Sequence, residues 1–476
     1  MNPAPSSAIH WSELTTERAP AVGERRWARR LCQAMVLLPL FGLILLPEYV
    51  QGLGDPESKS ILYRETIGPL RLVDALLLAV VAVHVVAWGS SRRLRVDFPR
   101  ELRLPGIGFL VAIGLAMIYG DLHGGTNLFF DWRALALGIG IYGVFALWLQ
   151  THEQVTSSLE LFVGFMTVRI AMIYAEFLRD GGDLIMGVRI PVFDGPTLSA
   201  LVFTAILAVC LSDFARGWSS VLWTFLGGAS YLLVLLCFRR TFWAVLGIAT
   251  LLLLLLQTRR RGRKLVVAAA AFAAVTAMLG PAFYERVQSM DFTQDDTEFS
   301  QGNPDHVGEV LDAWEQVQQS PLMGIGLGRS FPTFRIQEWK SESVMVHNAP
   351  LHVWLKYGLL GLTCYLWFHF ALFRWLHRRR GEFRNQLGSC VPRLGQGQVS
   401  PPSLGLAEQQ CSANRYEALV VAALAYLAAQ FAVSLGFTPW PYSSLQSTIL
   451  IAFLLALAIR GAKTWDYQPS PSLLLR

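Results

Sequence analysis

Three short stretches of this sequence hold side chains able to bind an anion or move a proton. They are "FRRTFW" at 238–243, "GIGLGRSFPTFR" at 324–335 and "VHNAPLHVWLK" at 346–356. Arg239 and Arg240 are adjacent guanidinium groups, and a planar guanidinium grips a phosphate through two parallel hydrogen bonds. The same pair also reads as an anchor that caps a tight hairpin and reaches to lipid phosphates. Arg189, Arg329 and Arg335 add to the positive charge available on that side of the chain. An unperturbed histidine titrates near pH ~6.5, which suits His347 to exchange a proton with a hydroxyl. Asn348 beside it could orient that hydroxyl or its neighbours. A histidine at such a position is also a common structural hydrogen-bonding residue, and that is the reading given to His352 and to Lys356 beyond it. The glycines of "GIGLGRS" are not followed by Lys-Ser/Thr, so they do not form a nucleotide-binding loop.

The elements that must carry these groups are membrane helices. Of 476 residues, 53% are hydrophobic and only 16% charged, with a mean hydropathy of +0.41, whereas a soluble chain carries about 25% charge. Apolar runs fall at roughly 31–50, 69–88, 105–120, 134–150, 157–177, 197–214, 218–238, 241–257, 265–283, 349–373, 417–437 and 443–460. A span needs about 20 mostly apolar residues. The expectation is an all-α, polytopic membrane protein of about 12 transmembrane helices, or ten if the short, glycine-broken runs do not cross. About 30 polar residues precede the first run, so it reads as an uncleaved anchor and not as a signal peptide. The formal charge of +6 lies in short clusters between apolar runs, not in a nucleic-acid-binding face. The six cysteines, Cys32, Cys210, Cys237, Cys364, Cys390 and Cys411, have no metal-ligand or disulfide spacing. No metal site is expected.

Lys/Arg clusters orient the chain. "RRWARR" (25–30), "SRRLRVDFPRELR" (91–103), "TRRRGRK" (258–264), "RWLHRRR" (374–380) and the "RGAK" after residue 459 all fall on one side if each run spans once. That side is the cytoplasm by the positive-inside rule. The expected organisation is a cytoplasmic tail at 1–30, nine spans over 31–283, an outer loop at 284–348 and a tenth span at 349–373. A Gly/Pro/Gln-rich cytoplasmic linker at 374–416, two spans over 417–460 and a tail at 461–476 follow. In the outer loop Val307, Val310, Leu311, Trp314 and Val317 recur at helical spacing. A Pro/Gly-rich turn, "SPLMGIGLGRSF", comes next.

Taken together, "FRRTFWAVL", "WEQVQQSPLMGIGLG" and "VHNAPLHVWLKYGLLGL" resemble the O-antigen ligase / polysaccharide polymerase superfamily of bacterial inner-membrane proteins. The elements in order are Arg240-Thr241, the Pro321–Gly326 turn, His347-Asn348 and the Gly358/Gly361 pair. The resemblance covers about residues 185–375 by motif. It implies a metal-independent, all-helical membrane glycosyltransferase with its active site on the periplasmic side and no cofactor. The donor would be a glycan on undecaprenyl diphosphate. The acceptor would be another carrier-linked glycan (a polymerase, the preferred reading) or lipid A core (a ligase). Membrane lipids and other polysaccharide assembly proteins are the remaining partners, and nucleic acid is not one. By resemblance, Arg240 and His347 are the catalytic candidates, with Arg239, Arg189, His306, Arg329 and Asn348 binding substrate. Phe331, Phe334 and Trp339 would cover the glycan. One departure concerns His306, which stands fifteen positions before Pro321, where the family often has an arginine. The rival readings are a transporter or flippase for a lipid-linked glycan and a non-catalytic assembly subunit.

Overall fold

The computed structural model describes residues 33–43, 62, 65–67, 70–90, 98–126, 128–181, 183–185, 188–191, 195–215, 217–237, 239–257, 261–288, 302–335, 342–343, 346–390, 404–435 and 445–466. The amino-terminal basic stretch, residues 391–403 and Trp339 lie outside them. The described residues are helical nearly throughout. The helices are α1 (Gln33–Leu43), α2 (Leu72–Ser90), α3 (Arg100–Leu122), α4 (Leu128–Trp148), α5 (His152–Asp180), α6 (Gly195–Ser212), α7 (Gly217–Leu236), α8 (Arg240–Leu256), α9 (Arg261–Gln288), α10 (Gly302–Gln319), α11 (Ala349–Cys390), α12 (Leu404–Ser434) and α13 (Leu445–Asp466). Among the described residues, 7 are long and apolar enough to cross a membrane, and α1, α8 and α13 are shorter apolar helices.

Local sequence sets the helix ends where they can be read. Thr151 and Gln154 form a reciprocal capping box that starts α5, and Gly181, at φ 74°, closes it with its N–H on the Phe177 carbonyl. Burial then sorts the helices. In α6, 89% of the residues are buried, against 17% in α2, so α6 runs through the middle of the bundle and α2 lies at its edge. A helix apolar on every side can occupy such a centre without choosing a face. Four helices meet at an aromatic knot: Phe453 of α13 packs on Phe41 of α1 at 4.8 Å, Phe145 of α4 at 5.1 Å and Phe162 of α5 at 5.3 Å.

Three of the basic stretches converge on one end of the bundle. Arg378 of α11 pairs with Glu101 of α3, and Arg380 donates to the Leu256 carbonyl at the end of α8. Lys264 of α9 pairs with Asp213, just past α6, at 2.6 Å. At the opposite end lie α10, the 320–328 turn, the start of α11 and the close of α12. There Asn348 donates to the Leu435 carbonyl at 2.7 Å.

α11 is not one continuous rod. Gly358 sits at φ 68°, ψ −173°, which breaks the helix after its first turns. The gap exposes backbone groups, and the 320–328 turn satisfies them. Ile325 N–H donates to the Leu355 carbonyl at 2.7 Å, while Leu359 N–H reaches the carbonyls of Pro321 (3.2 Å) and Leu322 (3.1 Å). Such a break is tolerated at membrane depth only where protein supplies the missing partners. Glycines make the approach possible: a Cβ on Gly358 would strike the Leu322 carbonyl, and one on Gly324 would strike that of Leu355.

Candidate active site

The turn also fixes α3 and α4. Leu327 N–H donates to the Ala116 carbonyl at 3.0 Å, and Gly328 N–H donates to Asp131 Oδ2 at 2.8 Å. Lys356 of α11, fully buried, pairs with the same Asp131 oxygen at 2.8 Å and donates to the Arg329 carbonyl. A buried lysine needs such compensation, because an unpaired charge there is costly. One ion pair thus joins α4, α11 and the turn. Beneath it an apolar cluster of Phe109, Ile113, Leu327, Val353, Tyr357 and Tyr365 fills the space between α3 and α11.

On this platform rests α10. The helix expected from the 307–317 periodicity is present, but its buried face is set differently. Val307, Leu311 and Trp314 are exposed, while Glu309, Asp312, Ala313 and Val317 are buried. Two carboxylates therefore point inward. Asp312 Oδ2 accepts the N–H groups of Phe334 (2.8 Å) and Arg335 (3.1 Å), and the Arg335 guanidinium pairs with both Asp312 and Glu315. Its hydrogen bonds to Glu315 and then Asp312 hold that guanidinium above its ordinary value. Arg335 is a strap for α10, its charge already matched by two carboxylates.

Glu309 is the second inward acid, and it meets His347. Its Oε2 accepts both His347 N–H (3.1 Å) and Nδ1–H (2.7 Å). The Glu309 side chain is 6% exposed and that of His347 is 34%, so the acid is covered and the imidazole reaches the surface. An ionised carboxylate accepts only, so the ring donates from Nδ1, and in the neutral imidazole the lone pair then stands on Nε2. A histidine oriented this way by a buried acid is the arrangement that makes a general base. His352 lies within electrostatic reach of His347, Glu309, Asp131 and Lys356, and Arg329 within reach of Lys356. The polar groups form one seam running inward from His347.

The remaining candidates are placed as follows. Asn348 caps α11: its Oδ1 accepts Leu351 N–H at 2.9 Å while its amide holds Leu435. Arg329 is half-buried, donates a long hydrogen bond to the Ile325 carbonyl at 3.4 Å, and among the described residues has no carboxylate partner. Arg239 is the N-cap of α8 and Arg240 its first residue, both half-buried, on an element that packs against α6, α7, α9 and α12. Since α8 ends beside Arg380, its start points toward the Asn348 end of the bundle. The structure therefore joins His347 directly to Glu309, and brings the arginine pair to the same end on a separate helix. Arg189 pairs through its backbone with Leu184 in a short hairpin and His306 lies in the first turns of α10; the side chains of both are outside the described residues. Phe331 is buried beneath α10 and Phe334 is exposed. Sequence reasoning missed Glu309 and Asp131. The spacing of Glu309, Asp312 and Glu315 within an otherwise apolar helical repeat was the signal available for the first.

Residues 221–366, which contain Arg240, Glu309, Arg329, His347 and the Gly358 break, match the family model described as O-antigen ligase. No curated protein matches the chain. The segment that builds most of this site is thus similar to the O-antigen ligase family.

Proposed function

We propose that this protein transfers a glycan from undecaprenyl diphosphate to an acceptor hydroxyl, at the membrane face opposite its basic loops. The observation that carries this reading is the Glu309–His347 pair, with Nδ1 held by a buried carboxylate and the ring at the surface. His347 Nε2 accepts the proton of the acceptor hydroxyl. The oxygen forms a bond to the anomeric carbon, and the bond from that carbon to the carrier diphosphate breaks, its electron pair leaving with the lipid diphosphate. Arg240, with Arg239, stabilises that leaving charge. Arg329, Arg189 and His306 are further donor contacts, and Asn348 positions both α11 and the sugar next to His347. The activated donor makes a metal or nucleotide sugar unnecessary.

The amphipathic donor explains the architecture: its tail lies in lipid while its diphosphate stands at headgroup depth, where α10 and the start of α11 present their polar groups. The working assignment is a polymerase of exopolysaccharide or O-antigen repeat units in the bacterial inner membrane, facing the periplasm, with ligation to lipid A core as the alternative. A flippase would need unmatched charge along a central path. Three buried acids among the described residues are instead matched by cations: Asp74–Arg133, Asp213–Lys264 and Asp131–Lys356. The deciding experiment reconstitutes the purified protein with carrier-linked glycan and scores chain extension against transfer to lipid A core. Movement of the donor between leaflets without any new glycosidic bond would install the transporter reading in its place.

A further inference from the structure

At the end of the bundle away from His347, α3 and α11 border an open groove of about 200 Å³. Glu101 of α3 lines one side, and Trp367, Phe370, Arg374, Trp375 and Arg378 of α11 line the other. Positions 367, 370, 374 and 378 recur at intervals of three and four, so they form one stripe along the helix. The stripe changes character along its length. Trp367 and Phe370 are 44% and 66% exposed, on a helix apolar enough to span a membrane. Above them come Arg374, which is exposed, and Arg378, half-exposed and paired with Glu101. Trp375 is buried behind the stripe, with the Arg379 guanidinium 5.8 Å from its ring centre. From Trp367 to Arg378 the helix rises about 16 Å, close to the ~15 Å of hydrocarbon in one leaflet.

An aromatic wall at chain depth beneath a guanidinium at headgroup depth fits one kind of ligand. We propose that this groove binds an anionic phospholipid, with its phosphodiester on Arg374 and an acyl chain along Trp367 and Phe370. Among the described residues Arg374 has no acidic partner, in contrast to Arg378, so its charge calls for an anion from outside the chain. The other basic stretches at this end, 100–103 and 261–264, draw anionic lipid to the same leaflet. A zwitterionic headgroup would carry its own cation to Arg374, and a free phosphate would gain nothing from the aromatic wall. The site is independent of the glycosyl-transfer reading.

The test uses the full-length protein in nanodiscs of phosphatidylcholine with increasing phosphatidylglycerol. A trace photo-crosslinking phosphatidylglycerol is added, and adducts are mapped by mass spectrometry. The expected result is saturable labelling within residues 367–378 that unlabelled phosphatidylglycerol competes away. Arg374→Gln lowers it about fivefold, the factor that ~1 kcal/mol per basic residue at an anionic surface corresponds to. Trp367→Ala also lowers it, whereas Arg261→Gln, an exposed arginine at the same end but outside the groove, lowers it by much less than Arg374→Gln does, since it contributes only to the general field of the leaflet. Equal labelling by a phosphatidylcholine probe would overturn the proposal. So would an unchanged adduct yield in an Arg374→Gln protein whose thermal melting matches wild type. Competition by millimolar inorganic phosphate as effective as by the lipid would also overturn it, reassigning Arg374 to a soluble anion.

Discussion

A histidine acquires a defined chemical role when something fixes its tautomer, and here Glu309 does so. Two N–H groups of one residue, backbone and ring, converge on a single carboxylate oxygen, so rotation of the imidazole breaks a bond that burial makes expensive to lose. His347→Ala is expected to reduce glycan transfer by about 10²–10⁴-fold, the ordinary worth of a positioned acid or base. Retention of the lipid-diphosphate donor by the same preparation should be unchanged. Glu309→Gln keeps the volume but removes the obligatory acceptor, and should lose most of that factor in kcat with little change in KM for the donor. If Glu309→Gln transfers glycan at the wild-type rate, the acid is only a strut for α10. For the proposed diphosphate contact, Arg240→Lys should cost far more than Arg239→Lys, since a point ammonium does not reproduce a bidentate phosphate contact. Equal, mild losses in the two would make the pair a membrane anchor.

The element that decides the site is the broken α11. Its first turns are held apart from the rest by Gly358, and the 320–328 turn fills the gap with three backbone hydrogen bonds. Without that turn the freed carbonyls and N–H groups would face lipid or apolar protein. Gly358→Ala and Gly324→Ala should each lower thermal stability by at least about 1–3 kcal/mol, the usual cost of holding an L-residue in such backbone, and should raise protease sensitivity near residue 322. Gly228→Ala is the control. It lies inside α7 with open space around it, and should be neutral or stabilising by up to ~1 kcal/mol. The Asp131–Lys356 pair belongs to the same element, because it pins the turn to α4. Asp131→Asn leaves a lysine buried without its counter-charge and should cost about 3–5 kcal/mol, while Asp131→Leu combined with Lys356→Met should recover much of the loss. Melting curves of the single and double variants in detergent give the comparison.

At the scale of the whole molecule, charge separates the two ends. Basic stretches gather at one, stitched by Arg378–Glu101 and Lys264–Asp213, and the acidic, hydrogen-bonded α10 caps the other. Under the proposed orientation, which follows the positive-inside rule, the basic end faces the cytoplasm. In a variant without native cysteines, Ser300→Cys should react with a membrane-impermeant maleimide in intact spheroplasts, and Ser400→Cys only after lysis. The reverse pattern would invert the orientation and move His347 to the cytoplasmic face.

Several levels of this architecture could be read from residues alone. Hydropathy marks the helices because a membrane leaves the backbone no other way to satisfy itself. The basic clusters predict which loops share an end, and those at 100–103, 261–264 and 374–380 do meet there. "RRT", "PLMGIG" and "HN" point to the family because their residue types are tied to local geometry and chemistry. What periodicity could not supply was the facing of α10. Val307, Leu311 and Trp314 look like its core stripe, yet they are exposed, and the neighbouring stripe with Glu309 and Asp312 is buried. The reason lies in partners distant in sequence: backbone N–H groups at 334, 335 and 347 need acceptors, and satisfying them outweighs covering three apolar side chains. The break at Gly358 and the Asp131–Lys356 pair, 225 positions apart, were hidden for the same reason. Apolar pattern is a property of neighbours along the chain, and hydrogen-bond satisfaction is a property of neighbours in space.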